Sequence, residues 1–410
     1  MKIARPTTIL ALLTALNFLN YVDRYLVAAV SPRFQESLGL NDFQTGLAIS
    51  AFMVGYFVTS PLFGQLADSK SAKPGRRTVL IAVGVALWSV ATVLSGFARD
   101  ATTLVLARVL VGVGEASYAT IAPTIIDDLA PPDRRNKWLT IFYLATPVGS
   151  ALGYLLGGLL EHKLGWRAAF FVAGGPGIAL AALALLVVEP KRLEKDEPTA
   201  STGAYRRLLG APLYVACVAG FCMYTFALGG FAAWAPKFLY KTHAMELAKA
   251  DFGFGTVAVL AGIVGTIGGS WIADRTLPTA ATEEERVRGY LRFCGWATLA
   301  ALPFAVATIV APTPLTFFVA IFLCEAALFA STSPINVVIL GSVPRDLRAT
   351  AMAASIFAIH AAGDFPSPPL IGWLADRSSL KSALMLLPVA VALCVVIWLR
   401  GARRPLARAE

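Results

Sequence analysis

Residues Thr102 to Leu129 form one apolar segment, flanked by charged or proline-rich sequence and long enough to cross a bilayer. Within it the run RVLVGVGEASYATIAP, from Arg108 to Pro123, carries an arginine and a glutamate far from either end. At about 3.6 residues per turn, Arg108, Gly112, Glu115 and Ala119 share one helical face, two charges separated by small residues. A charge in hydrocarbon costs about 2.5–3.5 kcal/mol on insertion scales, so this face must look into a bundle interior or a wet cavity. Intramembrane charge points to a functional site. The alternative is an ion-pair network that only locks helices together.

The rest of the chain fits a membrane setting. Of 410 residues, 57% are hydrophobic and only 15% charged, which excludes a disordered chain and is too apolar for an ordinary soluble enzyme. The first apolar segment holds Asp23 and Arg24 and is too long for the core of a signal peptide, so it reads as a first membrane helix. Five cysteines (Cys217, Cys222, Cys294, Cys324, Cys394) are odd in number and scattered, and His162, His243 and His360 are equally dispersed. Neither set draws a metal site or a disulfide framework, and no cofactor is expected.

Twelve apolar segments follow one another: helix one over 8–30, two 43–67, three 78–97, four 102–129, five 137–160, six 167–188, seven 211–239, eight 251–274, nine 289–311, ten 314–342, eleven 349–375 and twelve 380–400. Between helices six and seven lies the longest polar run, whose charge, proline and Ser/Thr content mark a linker over 189–210. It divides the chain into a six-helix bundle over 1–188 and a second over 211–410. Of the 35 lysines and arginines, twenty-four fall on the side of the N-terminus, nine on the other, and Arg24 and Arg108 within the membrane. That bias places both termini in the cytoplasm of a multi-pass protein, here expected in the plasma (cell inner) membrane. The net charge of +10 is then a topology signal rather than a nucleic-acid footprint, and the basic inner face would touch anionic membrane lipids.

The halves echo each other. Helix four runs from Glu115 to Pro123 and is followed by PPDRR; helix ten runs from Glu325 to Pro334 and is followed by PRDLR. The loop between helices two and three, GQLADSKSAKPGRR, carries Gly64, Asp68, Arg76 and Arg77, and Asp274 and Arg275 end helix eight at the corresponding place. Glycine allows close helix approach, and the aspartate can face a helix N-terminus or an arginine across a cytoplasmic gate. The loop resembles a major facilitator signature, with extra residues between Asp68 and Gly75. Helix five repeats glycine at Gly149, Gly153 and Gly157, a packing surface for a neighbouring helix. In helix eleven His360 and Asp364 face the same way, and Pro366, Pro368 and Pro369 must break or bend the helix. Helix one brings Asn20, Asp23 and Arg24 within about one turn. Arginine offers five donors and keeps its proton, which suits a carboxylate or phosphate, while Asp23 and Glu115 can change charge if burial moves their titration. The competing reading is a neutral cluster in which Arg24 pairs with Asp23 or Glu115.

Three runs resemble the spinster family, a branch of the major facilitator superfamily: NYVDRY from Asn20 to Tyr25, GVGEASYATIAPTIID from Gly112 to Asp127, and the helix-eleven set Gly363, Asp364, Ser367, Pro368, Ile371, Gly372 and Asp376. The resemblance implies an all-α fold of twelve transmembrane helices in two pseudo-symmetric bundles. It also implies a secondary transporter that moves an amphipathic, anionic lipid-like substrate of the sphingolipid or lysophospholipid class by alternating access, with proton coupling. The expected binding and coupling residues are Asn20, Asp23, Arg24, Arg108, Glu115, Glu325, His360 and Asp364. Aromatics on helices seven and ten (Phe221, Tyr224, Phe226, Trp234, Phe329) are candidate walls for a tail. Alternatives are a multidrug or small organic anion transporter of the same fold, and a non-transporting lipid sensor. No Ser/His/Asp, HExxH or Cys/His arrangement supports an enzyme, and no phosphate-binding loop supports an ATP-driven pump. A monomer is expected.

Overall fold

A computed structural model describes residues 2–68, 75–131, 134–190, 203–276 and 282–404. Among the described residues the chain is nearly all helix, with one isolated bridge between Ile3 and Val187. Among the described residues, ten helices are long and apolar enough to cross a membrane: Asp42–Ala67, Arg76–Gly96, Ala101–Leu129, Lys137–Leu164, Trp166–Ala184, Pro212–Thr242, Leu247–Thr276, Glu283–Val310, Pro314–Gly341 and Leu380–Gly401. They coincide with the apolar segments two to ten and twelve. Helix one is Pro6–Ala29, made less apolar by its own buried Asn17, Asn20 and Asp23. Helix eleven is interrupted, as its prolines require: an α-helix over Arg348–Ile359, a π turn over His360–Asp364, and a second α-helix over Ser367–Arg377. The break falls one turn before the prolines, where Phe365 donates to the carbonyl of His360 five residues back.

Helix starts carry polar stops at the membrane edge. Asp100 accepts from the Thr103 amide (2.8 Å) ahead of helix four, and Thr282 does the same for Glu285 (3.2 Å) ahead of helix nine. Large apolar side chains such as Val58, Leu62, Leu106, Ile267 and Trp271 are exposed on helix surfaces. In water so many would be a liability; against lipid tails they are the expected exterior.

Contacts divide the chain into two compact units, Met1–Lys195 with Met245–Gly255, and Asp196–Ala244 with Thr256–Glu410. In the first, helix one packs along helix five, where Gly149, Gly153 and Gly157 meet the backbone or Cβ atoms of Phe18, Tyr21, Val22, Tyr25 and Ala29. The glycine repeat is thus a packing surface. Gly55 and Gly112 bring helices two and four into backbone contact, Gly112 lying against the Phe52 carbonyl. Gly84 and Gly114 do the same for helices three and four. In the second unit helix seven packs on helix twelve, Gly220 lying against the Trp398 ring, and helix eight approaches helix ten through Gly265 and Gly269. Close approach by small residues is how helices pack where lipid supplies no hydrophobic drive.

A buried charge cluster as the candidate functional site

Helices one, two, three and four of the first unit enclose a group of charges. The close approach of helix four to helices two and three presses its polar face inward, so Arg108 and Glu115 are both fully buried. Asn20 and Asp23, on the facing side of helix one, are 2% exposed each. Arg24 Nε donates to Glu115 Oε2 at 2.8 Å. Arg108 Nη1 stands 3.6 Å from Asp23 Oδ1, an ion pair at longer range, while Thr92 Oγ1 donates to Asp23 Oδ2 at 2.5 Å. The pairing left open by the sequence is resolved: Arg24 takes Glu115, and Arg108 takes Asp23.

The Arg24 guanidinium also lies 5.0–5.1 Å from the ring centres of Tyr21, Phe52 and Tyr56, and Arg108 lies 5.5 Å from Phe52. Such rings stabilise a desolvated cation by about 0.5–2 kcal/mol each. Sequence reasoning missed this cage, although Tyr21 is one turn from Arg24, and Phe52 and Tyr56 are one turn apart on helix two. It also missed Thr92. No charge or motif marks a lone threonine in an apolar helix.

With all four side chains ionised the cluster carries no net charge, two guanidiniums facing two carboxylates. Its hydrogen bonding is far from complete. All three Arg108 nitrogens, Glu115 Oε1, Asp23 Oδ1 and Asn20 Nδ2 are buried without a hydrogen-bond partner among the described residues. Buried groups of this kind are rarely left unsatisfied, because each costs about 1–3 kcal/mol and more when charged. The cluster therefore holds spare donors and acceptors side by side, and can accept an anion, a proton or both.

The other expected residues are held elsewhere. In the second unit, His360 Nδ1 and Asp364 Oδ2 are 2.8 Å apart across the π turn, and Gly363 lets the turn press onto Cys222 and Thr225 of helix seven. Thr225 Oγ1 donates to the Ile359 carbonyl at 3.1 Å and so steadies the break. Glu325 is buried in helix ten with Oε2 unpartnered among the described residues. Tyr224, Phe226 and Trp234 are packed core rather than exposed wall. Tyr224 donates to the Leu328 carbonyl (3.1 Å) and Trp234 to the Pro368 carbonyl (3.2 Å). Only Phe221 and Phe329 of the five aromatics stay partly open.

At the gate-like loop, a Cβ built on Gly64 would lie 3.8 Å from the Thr120 methyl of helix four, an ordinary van der Waals contact. The Asp68 side chain is outside the described residues. Arg77 binds Asp128 (2.6 Å) and Glu189 (2.7 Å), and its amide donates to Glu189 (3.0 Å). Arg76 beside it is half-buried. The sequence reading did not include Asp128 or Glu189; the signal available was an Asp pair ending helix four on the basic side of the membrane. In the second unit Asp274 accepts from Tyr290 at 2.8 Å, and Arg275 stacks 3.7 Å from the Trp271 ring.

The sequence profile of the Major Facilitator Superfamily matches residues 13–363. The chain is 33% identical to "Probable sphingolipid transporter spinster homolog 2" of Arabidopsis thaliana, across 97% of this chain and 88% of that one. It is 34% identical to "Protein spinster homolog 1" of Homo sapiens, across 91% of this chain and 74% of that one. Its fold matches the crystal structure of a bacterial homolog of the human lysosomal transporter spinster in an inward-facing, unoccupied conformation (TM-score 0.84, 20% identity, 97% of both chains). It also matches a nucleoside transporter, with TM-score 0.78 and 12% identity over 96% of this chain and 99% of that one. A charged cluster walled by membrane helices, on this fold and with these relatives, makes the chain a multi-pass transporter of the major facilitator superfamily, of the spinster type.

Proposed function

We propose that this transporter moves an amphipathic anion of the sphingolipid or lysophospholipid class by alternating access, coupled to protons at the Arg24–Glu115 pair. The observation that carries the proposal is this buried pair, 2.8 Å apart, beside partnerless polar atoms on Arg108 and Asn20. A proton on Glu115 removes the charge that holds Arg24, and frees the guanidinium for a substrate phosphate or carboxylate, which it can grip with two parallel donors. Asp23, Thr92 and Arg108 keep the local balance of charge as that exchange occurs. The lipid-like class is drawn from the relatives named as sphingolipid transporters and from the aromatic cage, which suits a head group joined to an apolar body.

Other assignments follow the same reading. The halves 1–188 and 211–410 act as the two moving bundles, joined by 189–210. Gly64, Asp68, Arg76, Arg77, Asp274 and Arg275 serve the cytoplasmic gate, Glu325 and the His360–Asp364 pair form a second polar site, and the protein works as a monomer in the plasma membrane with both termini inside. The test is uptake of a fluorescent lysophospholipid or sphingoid phosphate into proteoliposomes, with and without an imposed pH gradient. Gradient-driven uptake in the wild type, and uptake indifferent to the gradient in Glu115→Gln, are expected. Wild-type uptake that ignores the gradient would remove proton coupling; no uptake of either lipid would leave the small organic anion reading.

A further inference from the structure

The outer end of helix five carries a carboxylate arrangement that the Arg24–Glu115 cluster does not use. The segment Met245–Gly255 belongs to the first unit and lies on helix five. Gly255 meets Tyr154 and Ala151, and Phe254 stacks edge-on against Tyr154 with centroids 5.3 Å apart. One turn on, Gly158 meets Ala248 and Asp251: a Cβ built there would lie 2.8 Å from Asp251 Oδ2. The glycine thus leaves a recess that the carboxyl group fills. Asp251 is 0% exposed, and both of its oxygens lack a hydrogen-bond partner among the described residues.

The surrounding charges do not compensate it. Glu161, on helix five, is already taken by Arg33 of the short helix Ser31–Leu38 at 2.9 Å, and Arg33 also reaches Glu36 at 3.5 Å. His162 is 3.8 Å from Glu246, and Lys249 is 2.9 Å from that same Glu246. Arg33 and Lys249 are thus engaged with other carboxylates, and Glu161 is a like charge. An ionised carboxylate cannot sit without a donor in such a place at tolerable cost; a protonated one can.

We propose that Asp251 is a proton-binding site, and that proton uptake there seats the 245–255 segment on helix five. The sign follows from linkage: the seated form holds a proton that the unseated, hydrated form gives up, so seating is favoured by acid and weakened as pH rises. The glycine recess is what couples the two events, because it admits the carboxyl group only when the helices are in contact. No substrate is involved, so the site stands or falls independently of the Arg24–Glu115 assignment.

The test uses the full-length protein in lipid nanodiscs without substrate. Nitroxide labels placed through cysteines at the exposed positions 162 and 246 report seating by dipolar broadening of their continuous-wave spectrum, which separates short from long distances, while the five native cysteines are buried. Replacing His162 and Glu246 also removes their own titration from the readout. A single linked proton changes the ratio of short to long distances by up to about tenfold per pH unit. The expected result is a short-distance population that dominates near about pH 5 and falls several-fold by about pH 8. Asp251→Asn should hold the short distance at every pH. Gly158→Ala, which fills the recess, should reduce the short-distance population even in acid. A wild-type distance that ignores pH, or a pH response retained in Asp251→Asn, would overturn the proposal.

Discussion

At the scale of single residues, Arg24 occupies a position lysine cannot fill. Its planar fork has one nitrogen on Glu115 while its face is covered by Tyr21, Phe52 and Tyr56. A lysine keeps the charge and loses both the fork and the stacking plane. If Arg24 holds the substrate's head group, Arg24→Lys should weaken binding by at least one charge-assisted hydrogen bond, about 1.5–3 kcal/mol. That corresponds to a loss of about tenfold or more in affinity, read by ligand-induced thermal stabilisation. Unchanged affinity would leave Arg24 as a partner of Glu115 alone. Asp100 gives a second residue-scale expectation. The Thr103 backbone amide, then its side chain, hold the Asp100 carboxyl below the ordinary range. A lowered carboxyl contributes stability at neutral pH that is lost as pH falls through its folded value. The protection factor of the Thr103 amide, its exchange rate divided into the intrinsic rate at each pH, should therefore fall in acid, and Asp100→Asn, which keeps an acceptor, should abolish that dependence.

At the scale of elements, glycines decide how near the charges come. Gly112 sits in the turn between Arg108 and Glu115 and lies against the Phe52 carbonyl of helix two. Even one methyl group there forces the helices apart, since the obstacle is backbone and cannot turn away. Overpacking of this kind costs about 1–3 kcal/mol, so Gly112→Ala should lower the thermal midpoint and loosen the Arg24–Glu115 pair together. A control at Gly175, where an added Cβ meets nothing within 4 Å, should leave both unchanged. The interrupted helix eleven shows the same logic in backbone form. Three prolines made a break certain, yet the π turn falls over His360–Asp364, whose side chains lie 2.8 Å apart across it.

For the whole molecule, the basic asymmetry makes a testable statement about orientation. Cysteines introduced singly at Tyr205 and Thr242, both exposed at opposite ends of the helix Pro212–Thr242 and its approach, should label from opposite faces of the membrane. Labelling of both from one face would reject the twelve-span topology. If that orientation holds, the +10 net charge is a topology signal, since the cations gather on the side expected to face the cytoplasm.

Sequence alone determined the membrane class, the helix spans to within a few residues, the charged face of helix four and the break in helix eleven. Each of these is a local property, set by hydrophobic length, helical period or proline chemistry, and needs no partner to be read. What tertiary structure decided was pairing. Arg24 could have met Asp23 one residue away, but meets Glu115 from a helix 91 residues further on; Arg77 meets Asp128 and Glu189. Tyr224, Phe226 and Trp234 turned out to be core, because which side of a fully apolar helix faces its neighbours is not written in its period. Asp251 escaped notice for the same reason. At the edge of an apolar span it reads as a solvated end, until Gly158 of another helix closes over it.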